Sequence, residues 1–237
     1  MITLRDITKT YDTRHGEVTV LDRVNLTVHP GEKLGILGRN GAGKSSLIRL
    51  IGGADRPTRG VVHRSMSVSW PLALSSGFAG SLTGHDYLRF VCRIYNVPPA
   101  GKLAFVTEFA ELGPYFYEPV MTYSSGMVAR LAFAVSMAID FDCFLIDEAV
   151  AVGDSRFTAK CHEELFVKRG HKAMVMVSHL PHFIEEHCDR AAVLHQGQLL
   201  AFPDVQQAFA FYNETMGMPA DVAPHLAPQL NPAAVTA

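Results

Sequence analysis

The sequence has few cysteines, a single tryptophan and almost no net charge. Its four cysteines are widely spaced and none forms a C-x-x-C pair, which is typical of a reduced, cytosolic chain rather than of a disulfide scaffold. Basic and acidic residues number 21 and 23, and no run of lysine and arginine stands out. The charge pattern therefore gives no reason to expect a nucleic-acid partner.

The sequence also lacks a long uninterrupted apolar segment. Its longest apolar region, residues 131–146, is broken by Asp140 and Asp142, so no segment is expected to span a bilayer. The first residues, MITLRDITKTY, do not contain the apolar core that a signal peptide needs. We therefore expect any membrane role to be peripheral and to depend on a partner.

The sequence does contain a glycine-rich motif that predicts a phosphate-binding loop. The stretch GRNGAGKSS follows a short apolar strand pattern and precedes an apolar helical pattern, which is the setting that G-x-x-x-x-G-K-[ST] requires. Backbone N–H groups of such a loop point at phosphate oxygens, its lysine adds positive charge, and its serine hydroxyl contacts Mg²⁺. The alternative is a glycine turn that only caps a helix. The residues predicted to bind nucleotide are Gly38, Arg39, Asn40, Gly41, Ala42, Gly43, Lys44, Ser45 and Ser46.

Two further apolar strand patterns end in residues suited to catalysis. FDCFLIDE places Asp147 and Glu148 at the end of one strand, and AMVMVSHL places His179 just after another. In open α/β sheets, ligands bind at the carboxyl ends of strands. We therefore predict that Asp147 and Ser45 hold Mg²⁺, that Glu148 deprotonates the attacking water, and that His179 contacts the γ-phosphate or that water. The alternatives are a solvated acidic turn and a surface histidine near a helix start.

Two other features are ambiguous on local sequence alone. Tyr11 lies in a β-like segment, where an aromatic side chain could pack within a hairpin or stack on a purine base. Ser124, Ser125 and Gly126 precede an apolar-rich helical pattern, and their plainest interpretation is an ordinary N-cap. The other interpretation is a second anion-binding helix end, which in a two-fold dimer would serve the nucleotide of the neighbouring protomer.

The remaining pattern predicts the organisation of the chain. Helical patterns cover 85–97 and 102–112, each ended by proline or glycine, so 75–140 is expected to be a mainly helical insertion. The continuous apolar runs at 141–146 and 173–177 suit parallel strands buried on both faces. Residues 191–202 fit a hairpin around Gln196-Gly197.

Together these motifs resemble the nucleotide-binding subunits of ABC transporters over about residues 1–212. The resemblance implies an α/β fold: a P-loop NTPase core with a parallel sheet, an antiparallel β subdomain and an inserted helical lobe at about 75–140. It also implies that ATP and Mg²⁺ bind and that two subunits form a homodimer. The Pro- and Ala-rich residues 213–237 follow as a tail that we expect to be mobile.

The resemblance assigns roles to individual residues. The base-stacking aromatic falls on Tyr11, the catalytic glutamate on Glu148 and the switch histidine on His179, while the dimer loop AVAVGD ends in Asp154. The signature sequence, usually Leu-Ser-Gly-Gly-Gln, meets the γ-phosphate bound to the opposite subunit in the family. Its residues after the first fall here on Ser124, Ser125, Gly126 and Met127.

The sequence departs from the family pattern at two places. Its signature keeps only Ser124 and the second glycine, Gly126, and the glutamine expected in the loop before the helical lobe is not evident in residues 69–84. By resemblance, that loop would hold a short cytoplasmic helix of a permease. Trp70, Phe78 and Leu82 are its candidate apolar contacts, and packing within the lobe is the alternative.

Several stretches resemble more narrowly the ATP-binding subunit of capsular polysaccharide exporters: SWPL, GSLTG, LRFVCRIYNV and TYSSGMVARLAFAVSMAIDFDCFLIDE. This resemblance implies an ATPase, peripheral on the cytoplasmic face of the bacterial inner membrane, that works with two copies of an integral-membrane permease. Periplasmic and outer-membrane export components are further candidate partners. The alternatives are export of teichoic acid, O-antigen or a drug, and an ABC ATPase without a transport role.

Overall fold

Two predicted catalytic residues lie outside the residues that the structure describes. The computed structural model of the protein describes residues 1–14, 16–72, 80–147, 154–178 and 180–216. Glu148 and His179 lie outside these ranges, as do Phe78 and the chain from residue 217. Their assignments therefore stay predictions.

The strands form two sheets. The first has the order β2-β1-β4, and the second has the order β5-β6-β7-β3-β8-β9. The strands are β1 (Ile2–Thr13), β2 (Gly16–Val28), β3 (Lys33–Leu37), β4 (Arg59–Arg64), β5 (Val68–Leu72), β6 (Cys143–Asp147), β7 (Ala173–Ser178), β8 (Arg190–His195) and β9 (Gln198–Phe202).

The helices lie between and after the strands in the chain. Short 3₁₀ segments cover Gly113–Tyr117 and Val120–Thr122, and a π-helical turn covers Glu163–Val167. Among the described helices, no single one has both the length and the apolar character needed to cross a bilayer. The helices are α1 (Lys44–Gly52), α2 (Gly84–Ile94), α3 (Lys102–Ala110), α4 (Ser125–Ala138), α5 (Ser155–His162), α6 (Pro181–His187) and α7 (Val205–Met216).

The six-stranded sheet confirms the predicted parallel strands. β6 pairs with β7, β7 with β3, and β3 with β8, all in parallel, while β8 and β9 form the predicted antiparallel hairpin. All six residues of β7 are buried, as expected for a strand covered on both faces. Gly35 in β3 makes room for α6, because a Cβ there would lie 2.2 Å from Cγ2 of Ile184.

The three-stranded sheet is antiparallel and irregular. The pairing of β1 with β2 shifts between Leu4 and Ile7, where Asp6 adopts a φ of 50°. Asn25 stabilises this bulge, because its Oδ1 accepts from the Asp6 N–H at 2.9 Å and its amide donates to the Asp6 carboxylate at 3.1 Å. The extra residue allows Ile2, Leu4 and Ile7 all to be buried although their spacing is not strictly alternate.

The chain divides into two compact units. The first contains Met1–Pro71, Asp142–Ala149 and Lys172–Ala237, and the second contains Leu72–Phe141 and Val150–His171. The second unit includes α2 and α3, which confirm the two helical patterns predicted there. The predicted domain bounds themselves remain predictions, although α7 runs on to Met216, beyond the expected start of the tail.

The cores of the two units are built differently. In the first, aliphatic residues of the parallel strands pack against the buried face of α1, which includes Leu47, Ile48 and Ile51. In the second, aromatic rings connect three helices: Phe109 stacks on Phe133 with centroids 5.8 Å apart and meets Phe157 edge-on at 5.5 Å. Such ring pairs add to the stabilisation from buried area.

The four cysteines are free thiols. Burial raises the pKa of the Cys143 and Cys161 thiols to about 12, so both are protonated and unreactive at neutral pH. This agrees with the expectation of a chain without disulfide bonds.

Arg64 on β4 closes the C-terminal end of α1, and its loss should destabilise the fold. Its Nε donates to the Ile51 carbonyl at 2.7 Å and its Nη2 donates to the Leu50 carbonyl. Arg64→Ala removes both donors, so the free energy of unfolding should fall by about 1–3 kcal/mol in urea denaturation. The exposed Arg59 on the same strand is the control, and Arg59→Ala should change it by less than about 0.5 kcal/mol. Equal losses in both variants would contradict this role.

Candidate nucleotide-binding site

The glycine-rich stretch forms a tight loop between β3 and α1. It leaves the sheet after Leu37 and turns back through an Ala42 N–H to Arg39 carbonyl hydrogen bond of 3.1 Å. Gly41 and Gly43 have φ values of 82° and 104°, in the left-handed region where glycine is favoured. The predicted strand–loop–helix setting is therefore present.

Helix α1 begins without a side-chain cap. Gly43 occupies the N-cap position and makes no side-chain hydrogen bond, and the first turn contains no acidic residue. The first intrahelical bond runs from the Leu47 N–H to the Gly43 carbonyl at 2.9 Å, so the N–H groups before Leu47 point out of the helix N-terminus. An open helix N-terminus of this kind suits an anion.

Gly43 is fixed by its neighbours as well as by its φ. A Cβ at this position would lie 2.8 Å from Cγ1 of Val20 and 3.0 Å from the Val20 carbonyl oxygen. Strand β2 therefore lies against the start of α1 and leaves no room for a side chain there.

Lys44 places a positive charge inside the loop. Its Nζ donates to the Gly38 carbonyl at 2.7 Å and to the Arg39 carbonyl at 3.0 Å. The residue is only 7% exposed, so its ammonium is fixed against the loop rather than extended into solvent. A buried ammonium next to an anion-binding helix end suits the outer phosphates of a nucleotide.

Asp147 lies at the same edge of the sheet as the loop. The register aligns Asp147 of β6 with Val177 of β7, and Val177 with Ile36 of β3, one residue before the strand ends. Ser45 is exposed on the first turn of α1. The serine hydroxyl and the carboxylate are oxygen donors of the kind that Mg²⁺ prefers, so the residues fit the predicted metal.

Tyr11 lies beside the phosphate loop. Its hydroxyl is 3.2 Å from Oγ of Ser46, on the first turn of α1, and 3.1 Å from Oδ2 of Asp55. Nζ of Lys9 lies 4.7 Å from the centroid of the ring and 2.8 Å from Oδ1 of Asp55. The structure therefore brings the predicted base-stacking ring next to the predicted phosphate-binding helix.

Sequence reasoning missed Lys9 and Asp55. The i, i+2 spacing of Lys9 and Tyr11 on a strand was an available signal, because residues so spaced share a face. Asp55 offered no comparable signal, since it follows the end of α1 and is 44 residues from Tyr11 in sequence.

The predicted signature residues begin helix α4 in the second unit. Ser124 is the N-cap, and its Oγ accepts a hydrogen bond of 3.3 Å from the Met127 N–H. Ser124 and Ser125 are exposed, and Gly126 and Met127 are half-buried. Ser124 therefore caps α4, and the contact with a second subunit's nucleotide stays a prediction.

Asp154, the predicted dimer-loop residue, is the N-cap of α5. Its Oδ1 accepts from the Phe157 N–H at 2.9 Å, and its Oδ2 accepts from the Arg130 guanidinium of α4 at 2.8 Å. The Phe157 N–H and then the Arg130 charge hold the pKa of the Asp154 carboxyl below its usual range. Sequence reasoning also missed Arg130, which connects the helix of the signature residues to the end of the dimer loop.

The predicted residues thus fall into two groups. The first unit brings together Tyr11, the phosphate loop and Asp147, and the second unit carries the signature residues and Asp154. Glu148 and His179 lie outside the described residues. A parallel sheet with this loop at a strand's carboxyl end defines a P-loop nucleotide-binding protein.

Comparison with known proteins identifies the family. The family model described as ABC transporter matches residues 21–151, more than half of the chain. The chain is 55% identical to ATP-binding protein BexA of Haemophilus influenzae, over 91% of this chain and 99% of that protein. The chain therefore belongs to the ABC transporter family, among its ATP-binding proteins.

Two further relatives carry more specific names. Capsule polysaccharide export ATP-binding protein CtrD of Neisseria meningitidis is 55% identical over 90% of this chain and 99% of that protein. Polysialic acid transport ATP-binding protein KpsT of Escherichia coli is 43% identical over 85% of this chain and 91% of that protein.

Solved structures show the same fold. A structure titled as the ATP-binding subunit of an ABC transporter has a TM-score of 0.75 at 20% identity, covering 95% of this chain and 98% of its own. The dimeric ATP-binding cassette MJ0796 bound to ADP and Pi has a TM-score of 0.70 at 23% identity, covering 84% and 96%. The predicted fold class, an ABC ATPase core with parallel and antiparallel sheets, is confirmed.

The position of Lys44 predicts a large loss of nucleotide affinity when its charge is removed. Lys44→Ala should raise the Kd for a fluorescent ATP analogue by about tenfold or more, because a charge-assisted phosphate contact is lost. Arg49, an exposed cation in the last turn of the same helix, provides the control, and Arg49→Ala should bind as the wild type does. Unchanged affinity in a folded Lys44→Ala variant would refute the phosphate-binding role.

Proposed function

We propose that this protein is the ATP-hydrolysing subunit of an ABC exporter that moves capsular polysaccharide across the inner membrane through a separate permease. The observation that carries the proposal is the 55% identity to CtrD over nearly the whole of both chains. The 43% identity to KpsT supports the same class of cargo, because its name also refers to a polymer of sugars. The geometry of the phosphate loop supports ATP as the energy source.

The described residues suggest how one nucleotide is held. The start of α1 and the Lys44 ammonium take the phosphates, and the ring of Tyr11 stacks on the base. Ser45 and Asp147 hold Mg²⁺, which would neutralise phosphate charge and polarise the γ-phosphate. By resemblance, Glu148 deprotonates the attacking water and His179 contacts the γ-phosphate.

We further propose that the active form is a homodimer with two ATP molecules at its interface. Each nucleotide would lie between the phosphate loop of one protomer and residues Ser124–Met127 of the other. The exposed hydroxyls of Ser124 and Ser125 at the start of α4 suit this role, because a helix N-terminus binds anions. Asp154 would lie at the protomer interface.

To drive transport, ATP and ADP must stabilise the closed dimer to different degrees. ATP must favour the closed dimer more than ADP does, since a ligand shifts a conformational equilibrium only by its differential affinity. Hydrolysis would then reset the dimer and the two permease copies bound to it. Trp70 and Leu82 are half-buried and remain candidate permease contacts, as does Phe78.

This assignment places the protein at the cytoplasmic face of the inner membrane, attached through the permease. Periplasmic and outer-membrane components would continue the export route. The alternatives of teichoic acid, O-antigen or drug export differ in cargo, which the permease contacts, and would use the same nucleotide site.

Glu148→Gln should separate ATP binding from hydrolysis. The amide cannot accept the proton of the attacking water, so turnover should fall by about 100-fold or more while ATP affinity stays near the wild-type value. Light scattering should then show an ATP-dependent dimer of this variant. Glu17→Gln, which changes an exposed residue of β2, serves as the control and should hydrolyse ATP normally. A normal rate in Glu148→Gln would remove Glu148 from the general-base role.

The cargo is tested by deleting the gene in the organism of origin and measuring polysaccharide. Capsular polysaccharide should accumulate inside the cell and be lost from the surface, and the wild-type gene should restore export while Lys44→Ala should not. Surface capsule that persists, with loss of teichoic acid or O-antigen instead, would assign one of the alternative cargoes.

A further inference from the structure

We propose that Asp55 and Lys9 are positioning residues that fix the Tyr11 ring as the stacking surface for the base of ATP. The proposal rests on the proposed function, because it takes ATP as the ligand. It adds two residues that lie outside the phosphate loop.

The carboxylate of Asp55 uses both of its oxygens. Oδ1 accepts from Nζ of Lys9 at 2.8 Å, and Oδ2 accepts from the Tyr11 hydroxyl at 3.1 Å. The Lys9 ammonium also donates to the Arg56 carbonyl at 2.9 Å, so the ion pair is tied to the backbone after α1. Asp55 therefore restrains the phenol end of the ring from a fixed point.

Lys9 restrains the same ring from one face. Its Nζ lies 4.7 Å from the ring centroid, within the range of a cation–π contact. A base can then stack only on the opposite face of Tyr11. The Tyr11 hydroxyl is also 3.2 Å from Oγ of Ser46, so the restrained ring is connected to the first turn of α1.

A positioning role and a purely electrostatic role for Asp55 predict opposite changes in ATP affinity when its charge is removed. A carboxylate next to a polyphosphate site repels the ligand, so a bystander at residue 55 would weaken binding of any polyphosphate. The contact with Lys9 holds the pKa of the Asp55 carboxyl below its usual range, which keeps Asp55 ionised at neutral pH. Removing its charge should therefore tighten binding if Asp55 has no positioning role.

If the Tyr11 ring is already restrained, less entropy is lost when a base stacks on it. Fixing a side chain before binding raises affinity by reducing the entropy lost on association. The gain applies only to ligands that have a base. Inorganic tripolyphosphate uses the same phosphate loop without a base and provides the comparison.

The test compares ATP with tripolyphosphate by calorimetric titration of the full chain. Asn at residue 55 removes the charge that pairs with Lys9 and replaces one of the two acceptor oxygens by an NH₂ group, so Lys9 and Tyr11 can no longer each donate to an oxygen of their own. Asp55→Asn should therefore raise the Kd for ATP by about 3- to 10-fold, while the Kd for tripolyphosphate should stay the same or fall, because a repelling charge is removed. Asp12→Asn removes the same charge from the exposed residue next to Tyr11, and it should not raise the Kd for ATP.

Tyr11→Phe supplies the second arm, since it removes the hydroxyl and keeps the ring. It should reproduce the loss of ATP affinity expected for Asp55→Asn. The double variant should lose little more, because both changes break the same hydrogen bond, the one between the Tyr11 hydroxyl and Asp55. Equal weakening of ATP and tripolyphosphate would indicate damage to α1 and overturn the proposal. Unchanged or tighter ATP binding in Asp55→Asn would overturn it too.

The same titrations distinguish a failure of the proposed function from a failure of the positioning role. If the wild-type chain bound neither ligand, the proposed function itself would be wrong. If the wild-type chain bound both, and only Lys44→Ala weakened them, the nucleotide site would stand and the positioning role of Asp55 would be rejected.

Discussion

The uncapped start of α1 is the constraint on which the other parts of the site depend. Gly43 takes a φ of 104° and has no room for a side chain against Val20, so the helix begins without a side-chain cap. The buried Lys44 adds charge at the same place. The other predicted nucleotide-site residues of the first unit are placed by the two sheets. The parallel strands hold Asp147 at the edge where the loop begins, and β1 holds Tyr11 next to Ser46 on the first turn of α1.

Ion pairs hold the two groups of predicted residues in position. In the first unit, Lys9 and Asp55 restrain the ring of Tyr11. In the second, Arg130 connects α4 to Asp154, and this partly exposed pair would contribute little to stability by itself. The value of both pairs lies in geometry, because one restrains the ring predicted to stack on a base and the other holds the residue predicted to lie at the dimer interface. In the phosphate loop, by contrast, the Lys44 ammonium is predicted to contact the ligand itself.

Local patterns in the sequence were sufficient for the parts of the fold that depend on neighbouring residues. The phosphate loop and the buried strands β6 and β7 both follow from short stretches. Contacts between distant residues had no such signal: Asp55 meets Tyr11 across 44 residues and Arg130 meets Asp154 across 24. Ser124 was ambiguous for a different reason, since an N-cap and an anion site begin with the same chemistry.

Arg64 gives helix α1 a second attachment to the antiparallel sheet. The antiparallel sheet holds α1 at both ends, through Tyr11 and Ser46 at the start and through Arg64 on the Leu50 and Ile51 carbonyls at the finish. The predicted base-stacking ring and the predicted phosphate-binding helix are therefore both connected to the antiparallel sheet. A nucleotide bound here would meet its base contact and its phosphate contacts on two parts of the chain that this sheet holds together.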